Sequence, residues 1–176
     1  MNIANKVTLL RICAIPVFLV FLYWGVPYHL YIAAGIFIAA SLTDMLDGYL
    51  ARKYNLITTF GKFADPIADK LLVSAAFIGF IDVFSVPSWL IFIIIAREFI
   101  VTGLRIAAMG EGKVIAANIW GKIKTATQMT VIIIILLFHA FLSPAVSLCL
   151  IGVTASITLI SGVVYIYENR NILKQW

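Results

Sequence analysis

The sequence predicts an all-α fold: a polytopic membrane protein with six transmembrane helices around a cytoplasm-facing polar cavity. Three observations predict it. The 176 residues are 63% hydrophobic and 12% charged, where soluble globular domains carry roughly 25% charged residues, and the mean hydropathy is +1.07. Breaks at charges, proline and glycine leave six apolar segments of about 17 to 25 residues, each long enough to cross a bilayer as a helix. Finally, all 13 Lys and Arg fall towards one end of the alternating segments. The length suits a single domain over 1–176, and short turns leave no room for a separate soluble one.

The first segment, Val7 to Val26, follows Lys6 and includes Arg11, an outline shared with signal peptides. No small-x-small cleavage pattern follows it, so it is expected to remain as the first membrane helix. The others are Leu30 to Arg52, Asp65 to Ile81, Pro87 to Met109, Gly121 to Phe138 and Pro144 to Tyr167. No internal repeat or low-complexity tract interrupts them. Cys13 and Cys149 lie in apolar runs without metal or disulfide spacing and are expected to be small buried hydrophobes.

Six crossings place both termini on one side. Lys6, Arg11, Arg52, Lys53, Lys62, Lys70, Arg97, Arg105, Lys113, Lys122, Lys124, Arg170 and Lys174 lie towards that side, whereas the turns near Pro27, Asp82 to Pro87 and His139 to Pro144 hold no Lys or Arg. The positive-inside rule makes the basic side cytoplasmic. A net charge of +5 on that face favours anionic lipid headgroups or phosphorylated substrates.

The uncharged cores are shorter than the segments. Leu30 to Thr43, Val83 to Ala96 and Thr125 to Phe138 hold about 14 residues each, roughly 21 Å of helix against a hydrocarbon layer of roughly 30 Å. Leu71 to Ile81 is shorter still. Helices two to five are therefore expected to line a polar cavity sunk into the cytoplasmic leaflet. Helix six, uncharged from Ala145 to Tyr167, is expected to face lipid or a partner subunit.

Half of the eight acidic residues fall between Ser41 and Lys70. At 100° per residue Asp44, Asp47, Gly48 and Ala51 occupy one sector of about 100° on the second helix. Asp65 and Asp69, four residues apart, share a face of the third. Four lipid-facing aspartates would cost on the order of 10 kcal/mol, so the four are expected to face inward. A cap at a helix end, with Asp65 ahead of Pro66, is the competing explanation for that residue. It does not explain carboxylates sharing a face with Gly48 and Ala51. Oxygen ligands without His or Cys suit a hard divalent cation, Mg²⁺ or Mn²⁺, and two such ions would clamp a diphosphate.

Asp44, Asp47, Gly48, Ala51, Arg52, Gly61, Asp65 and Asp69 form D-x2-D-G-x2-A-R-x8-G-x3-D-x3-D, which resembles the signature of the CDP-alcohol phosphotransferase family without a departure. The resemblance implies a six-helix membrane enzyme, commonly a homodimer, that displaces CMP from a CDP-linked substrate with an alcohol. It implies that the four aspartates bind two metals and that Asp69 also takes the proton of the attacking hydroxyl. Gly48 and Ala51 would admit the nucleotide close to the backbone, Gly61 would complete the CDP-lipid site, and Arg52 would face the phosphates.

"AREFIVTGLR" (Ala96 to Arg105), "GKIKT" (Gly121 to Thr125) and the N-terminal "NKVTLLR" are similar to the bacterial phosphatidylglycerophosphate synthases of that family. This resemblance runs from Met1 to about Tyr167. It implies CDP-diacylglycerol and sn-glycerol 3-phosphate as substrates, a bacterial plasma membrane location and no nucleic-acid partner. Arg97, Arg105, Lys122 and Lys124 are then candidates for the glycerol phosphate, and Asn5, Thr8 and Arg11 for the nucleotide end. Glu98 is expected to orient an arginine. Snorkelling to the membrane surface is the competing explanation for any one basic residue. Another acceptor, such as inositol phosphate, serine or phosphatidylglycerol, and a divalent-cation transporter, are the alternative functions.

Overall fold

The computed structural model describes the backbone of residues 3–53, 59–110 and 118–170, and the side chains of 8–43, 67, 68, 70–108, 110 and 118–170. Those residues form six helices and no strand: α1 (Ile3–Tyr23), α2 (His29–Lys53), α3 (Thr59–Val83), α4 (Ser88–Gly110), α5 (Ile119–Phe138) and α6 (Pro144–Glu168).

The helix ends follow local chemistry. After α1 the chain turns at Gly25, whose φ of 68° lies in the left-handed region that glycine enters without penalty. Ser143 caps α6 by accepting the Val146 N–H at 3.4 Å, and Pro144 follows at the first helical turn, where a missing N–H costs nothing. At the other end the Asn169 side-chain amide donates to the Tyr165 carbonyl at 2.8 Å, taking up an acceptor that the helix leaves over.

The helices belong to two compact units. In the first, α1 packs against both α2 and α3. Phe18 meets Phe37 while the His29 ring reaches the Phe21 carbonyl, so α1 and α2 are antiparallel. The Tyr23 hydroxyl donates to Asp82 at 3.0 Å, and Gly79 lies against Leu22, so α3 runs parallel to α1. In the second unit α4 packs along α6, with Arg97 bonded to Ser161 and Arg105 over Tyr165, a parallel pairing. Asn118 bonds to Glu168 and Gln128 to Thr158, so the start of α5 is antiparallel to α6.

Ile119–Phe138 and Pro144–Glu168 are long and apolar enough to cross a membrane. Large side chains such as Leu10, Phe92, Phe99, Phe141 and Val163 are exposed, an apolar surface that a soluble monomer rarely presents. The chain is a membrane protein.

Two expectations are corrected and a third, on helix six, is refined. Helix α3 begins at Thr59, not Asp65, so the Asp65 position is interior to the helix rather than at its N-terminus; the Asp-Pro pair reads as a start signal although the helix is already under way. Cys13 and Cys149 are exposed, because outward faces of membrane helices take small apolar side chains as readily as a core does. Helix α6 has two faces: Ser147, Thr154, Thr158, Ser161 and Tyr165 are buried on one, to which Arg97 bonds, while Val153, Ile160, Val163 and Ile166 are exposed on the apolar side expected to face lipid or a partner.

Candidate functional site

Helix directions in the first unit gather the signature. Because α2 is antiparallel to α1 and α3 parallel to it, the C-terminal half of α2, the N-terminal half of α3 and the N-terminal half of α1 lie at the same end. Asp44, Asp47, Gly48, Ala51 and Arg52 are on that part of α2, and Gly61, Asp65 and Asp69 on that part of α3. Thr8 and Arg11 on α1 are both buried. The side chains of Asn5 and of all eight signature residues lie outside the described residues, so what is established for them is their helix and their end of the unit. A set of carboxylates at i, i+3 and i, i+4 on neighbouring helices fits the oxygen-rich coordination of a hard divalent cation.

The second unit carries a buried polar network at the level of the basic residues. Glu98 accepts from Lys124, and Gln128 Nε2 donates to Glu98 at 3.4 Å and to the Thr158 hydroxyl at 3.2 Å. Glu98 and Lys124 are 3% and 5% exposed, and a charge so far from water persists only with a partner. Nη1 of Arg97 stands 3.5 Å from the same carboxylate, while its Nη2 donates to the Ser161 hydroxyl at 2.6 Å. Glu98 therefore contacts Arg97, the kind of partner expected for it, and Lys124 as well. The Arg105 guanidinium lies over the Tyr165 ring, 5.3 Å from its centroid, a cation–π distance. Lys122 is exposed.

The sequence profile of the CDP-alcohol phosphatidyltransferase family matches residues 1–165. The chain belongs to this family. It is 44% identical to the CDP-diacylglycerol–glycerol-3-phosphate 3-phosphatidyltransferase of Bacillus subtilis (strain 168), with 98% of this chain and 97% of the relative covered. A relative in Rickettsia bellii (strain RML369-C) bearing the same name is 40% identical, with 93% of each chain covered. The probable phosphatidylglycerophosphate synthase of Mycobacterium tuberculosis (strain ATCC 25618 / H37Rv) is 42% identical, with 94% of this chain and 80% of the relative covered.

In this CDP-alcohol phosphatidyltransferase the structure brings Arg97, Arg105 and Lys124 into one polar cluster with residues that sequence reading passed over: Gln128, Thr158, Ser161 and Tyr165. A signal for the α6 members existed. Ser147, Thr154, Thr158, Ser161 and Tyr165 fall within about 60° of one another at 100° per residue, a polar stripe on an otherwise apolar helix.

Proposed function

We propose that this family member transfers the phosphatidyl group of CDP-diacylglycerol to sn-glycerol 3-phosphate, releasing CMP and forming phosphatidylglycerophosphate. The observation that carries it is the placement of the complete signature, on α2 and α3, at the same end of one helical unit as Thr8 and Arg11. The names of the relatives and the half-buried arginines of α4, Arg97 and Arg105, support the phosphorylated acceptor.

In this reading Asp44, Asp47, Asp65 and Asp69 hold two divalent ions, Mg²⁺ or Mn²⁺, which supply charge neutralisation of the diphosphate. Asn5, Thr8 and Arg11 hold the nucleotide end. Gly48, Ala51 and Gly61 leave the backbone open to it, and Arg52 pairs with phosphate oxygens. Asp69 accepts the proton of the acceptor hydroxyl, whose oxygen attacks the β-phosphorus as the bond to CMP breaks. Arg97, Arg105, Lys122 and Lys124 hold the acceptor phosphate, Lys124 from within its pairing to Glu98. The whole chain acts as one catalytic domain, crossing the bacterial plasma membrane six times with both termini cytoplasmic. The polar cavity opens to the cytoplasm, and the enzyme works as a homodimer among membrane lipids.

Purified protein given labelled CDP-diacylglycerol and, separately, glycerol 3-phosphate, inositol phosphate, serine, phosphatidylglycerol and glycerol tests the proposal. Lipid product and CMP are expected in equal amounts with glycerol 3-phosphate, in the presence of Mg²⁺ or Mn²⁺. Turnover confined to an uncharged acceptor would overturn it.

A further inference from the structure

Three donors on α4 and α6 are buried and bonded to no acceptor: Nε of Arg97, Nε of Arg105 and the hydroxyl of Tyr165. Buried polar groups are overwhelmingly paired in native proteins, and an orphaned donor keeps its full desolvation penalty. Chance scatter would not put three together. The Arg105 guanidinium is 5.3 Å from the Tyr165 ring centroid. Arg97 also bonds to Ser161, one helical turn before Tyr165 on the same face. The carboxylate nearby, Glu98, is shared among Arg97, Lys124 and Gln128. Tyr165 is 1% exposed, and the Asn169 amide takes its backbone carbonyl rather than its hydroxyl.

Two guanidinium groups and a phenol with unfilled donors call for an anion with several acceptor oxygens in a compact tetrahedron. Phosphate meets that description: the arginines and the phenol all give it charge-assisted bonds, the phenol as an uncharged donor to an ionised acceptor. We propose that Tyr165 is a phosphate-binding residue: its hydroxyl, with Nε of Arg97 and Nε of Arg105, donates to the phosphate of the acceptor and selects a phosphorylated alcohol over an uncharged one. This rests on the reading of Arg97 and Arg105 as acceptor-binding residues and adds α6 to the site.

Tyr165→Phe removes the hydroxyl and keeps the ring under Arg105. Its KM for glycerol 3-phosphate is expected to rise about ten- to a hundredfold, the range of one lost hydrogen bond to a charged group. The KM for CDP-diacylglycerol and kcat should stay within about twofold, with an unchanged Tm. Binding of glycerol 3-phosphate to the detergent-solubilised protein, without nucleotide lipid, should weaken by the same factor in the variant. For the wild type it should be unaffected by added phosphatidylglycerol. An unchanged acceptor KM in Tyr165→Phe, or equal losses for both substrates with a fallen Tm, overturns the proposal. Displacement of glycerol 3-phosphate by phosphatidylglycerol also overturns it, since the anion would then be a lipid headgroup. Arg105→Ala separates the two layers: a raised acceptor KM there beside a normal Tyr165→Phe refutes the role of Tyr165 alone. Normal values in Arg97→Ala, Arg105→Ala and Tyr165→Phe refute the acceptor site with it.

Discussion

Arg97 on α4 is held by two neighbouring residues of α6: its Nη2 donates to the Ser161 hydroxyl at 2.6 Å, and its stem crosses Gly162, where a Cβ would stand 2.9 Å from Arg97 Cγ. The hydroxyl aims the guanidinium and the glycine gives it room to lie flat. Arg97 is thus the member of the basic set whose direction is most plainly fixed by packing.

Substitutions on α6 should therefore reach the acceptor through Arg97. Ser161→Ala is expected to raise the KM for glycerol 3-phosphate about three- to tenfold, the range of one neutral-acceptor hydrogen bond. Gly162→Val, which drives branched carbons into the arginine stem, should raise it further. Steady-state kinetics with each substrate varied in turn checks this, and an equal effect on CDP-diacylglycerol would contradict it.

The Glu98–Lys124 pair predicts a stability pattern. Removing the carboxylate in Glu98→Gln takes from the buried Lys124 ammonium the counter-charge it bonds to, and breaking a buried ion pair costs about 3–5 kcal/mol. Replacing both residues, Glu98→Gln with Lys124→Met, should recover much of that loss, because both charges of the pair leave together. Thermal unfolding in detergent is the measurement, and additive losses in the double variant would refute the coupling.

The first unit makes a different prediction at Gly79. A Cβ there collides with Cδ2 of Leu22, a fully buried side chain that must shift to make room. Gly79→Val should destabilise the protein by about 1–3 kcal/mol through overpacking of α1 on α3. Because Gly79 is near the end occupied by Tyr23 and Asp82, both KM values should be unchanged in the folded fraction.

What the sequence disclosed follows from what each signal depends on. Helix number and order depend on apolar length and on charge, which are local, and all six segments reappear as α1 to α6. The eight signature residues depend on spacing, which is also local. Helix start at Thr59 was hidden because Asp65-Pro66 is a genuine start signal that the longer helix overrides. Ser161, Gln128, Thr158 and Tyr165 were hidden for another reason: each is ordinary in an apolar run. Their importance arises only when the pairing of α4 with α6 brings them to Arg97, Glu98 and Arg105.

Asp69 lies one turn beyond Asp65 and well inside α3 rather than at its start. An interior helical position fixes the backbone of both residues by hydrogen bonds on either side, which suits groups that must hold their separation during turnover. Asp69→Asn keeps the size and loses the charge and the basicity. If Asp69 takes the acceptor proton as well as binding metal, turnover should fall by at least about 10²–10⁴, the range of general-base catalysis, while CDP-diacylglycerol binding is weakened but detectable. Raising Mg²⁺ or Mn²⁺ separates the two roles. Mass action restores a merely weakened metal site as the ion approaches its new Kd, but no ion concentration restores a missing base. Titration of activity with each metal, wild type beside Asp44→Asn and Asp69→Asn, should show partial rescue of Asp44→Asn and none of Asp69→Asn; full rescue of Asp69→Asn would confine it to metal binding.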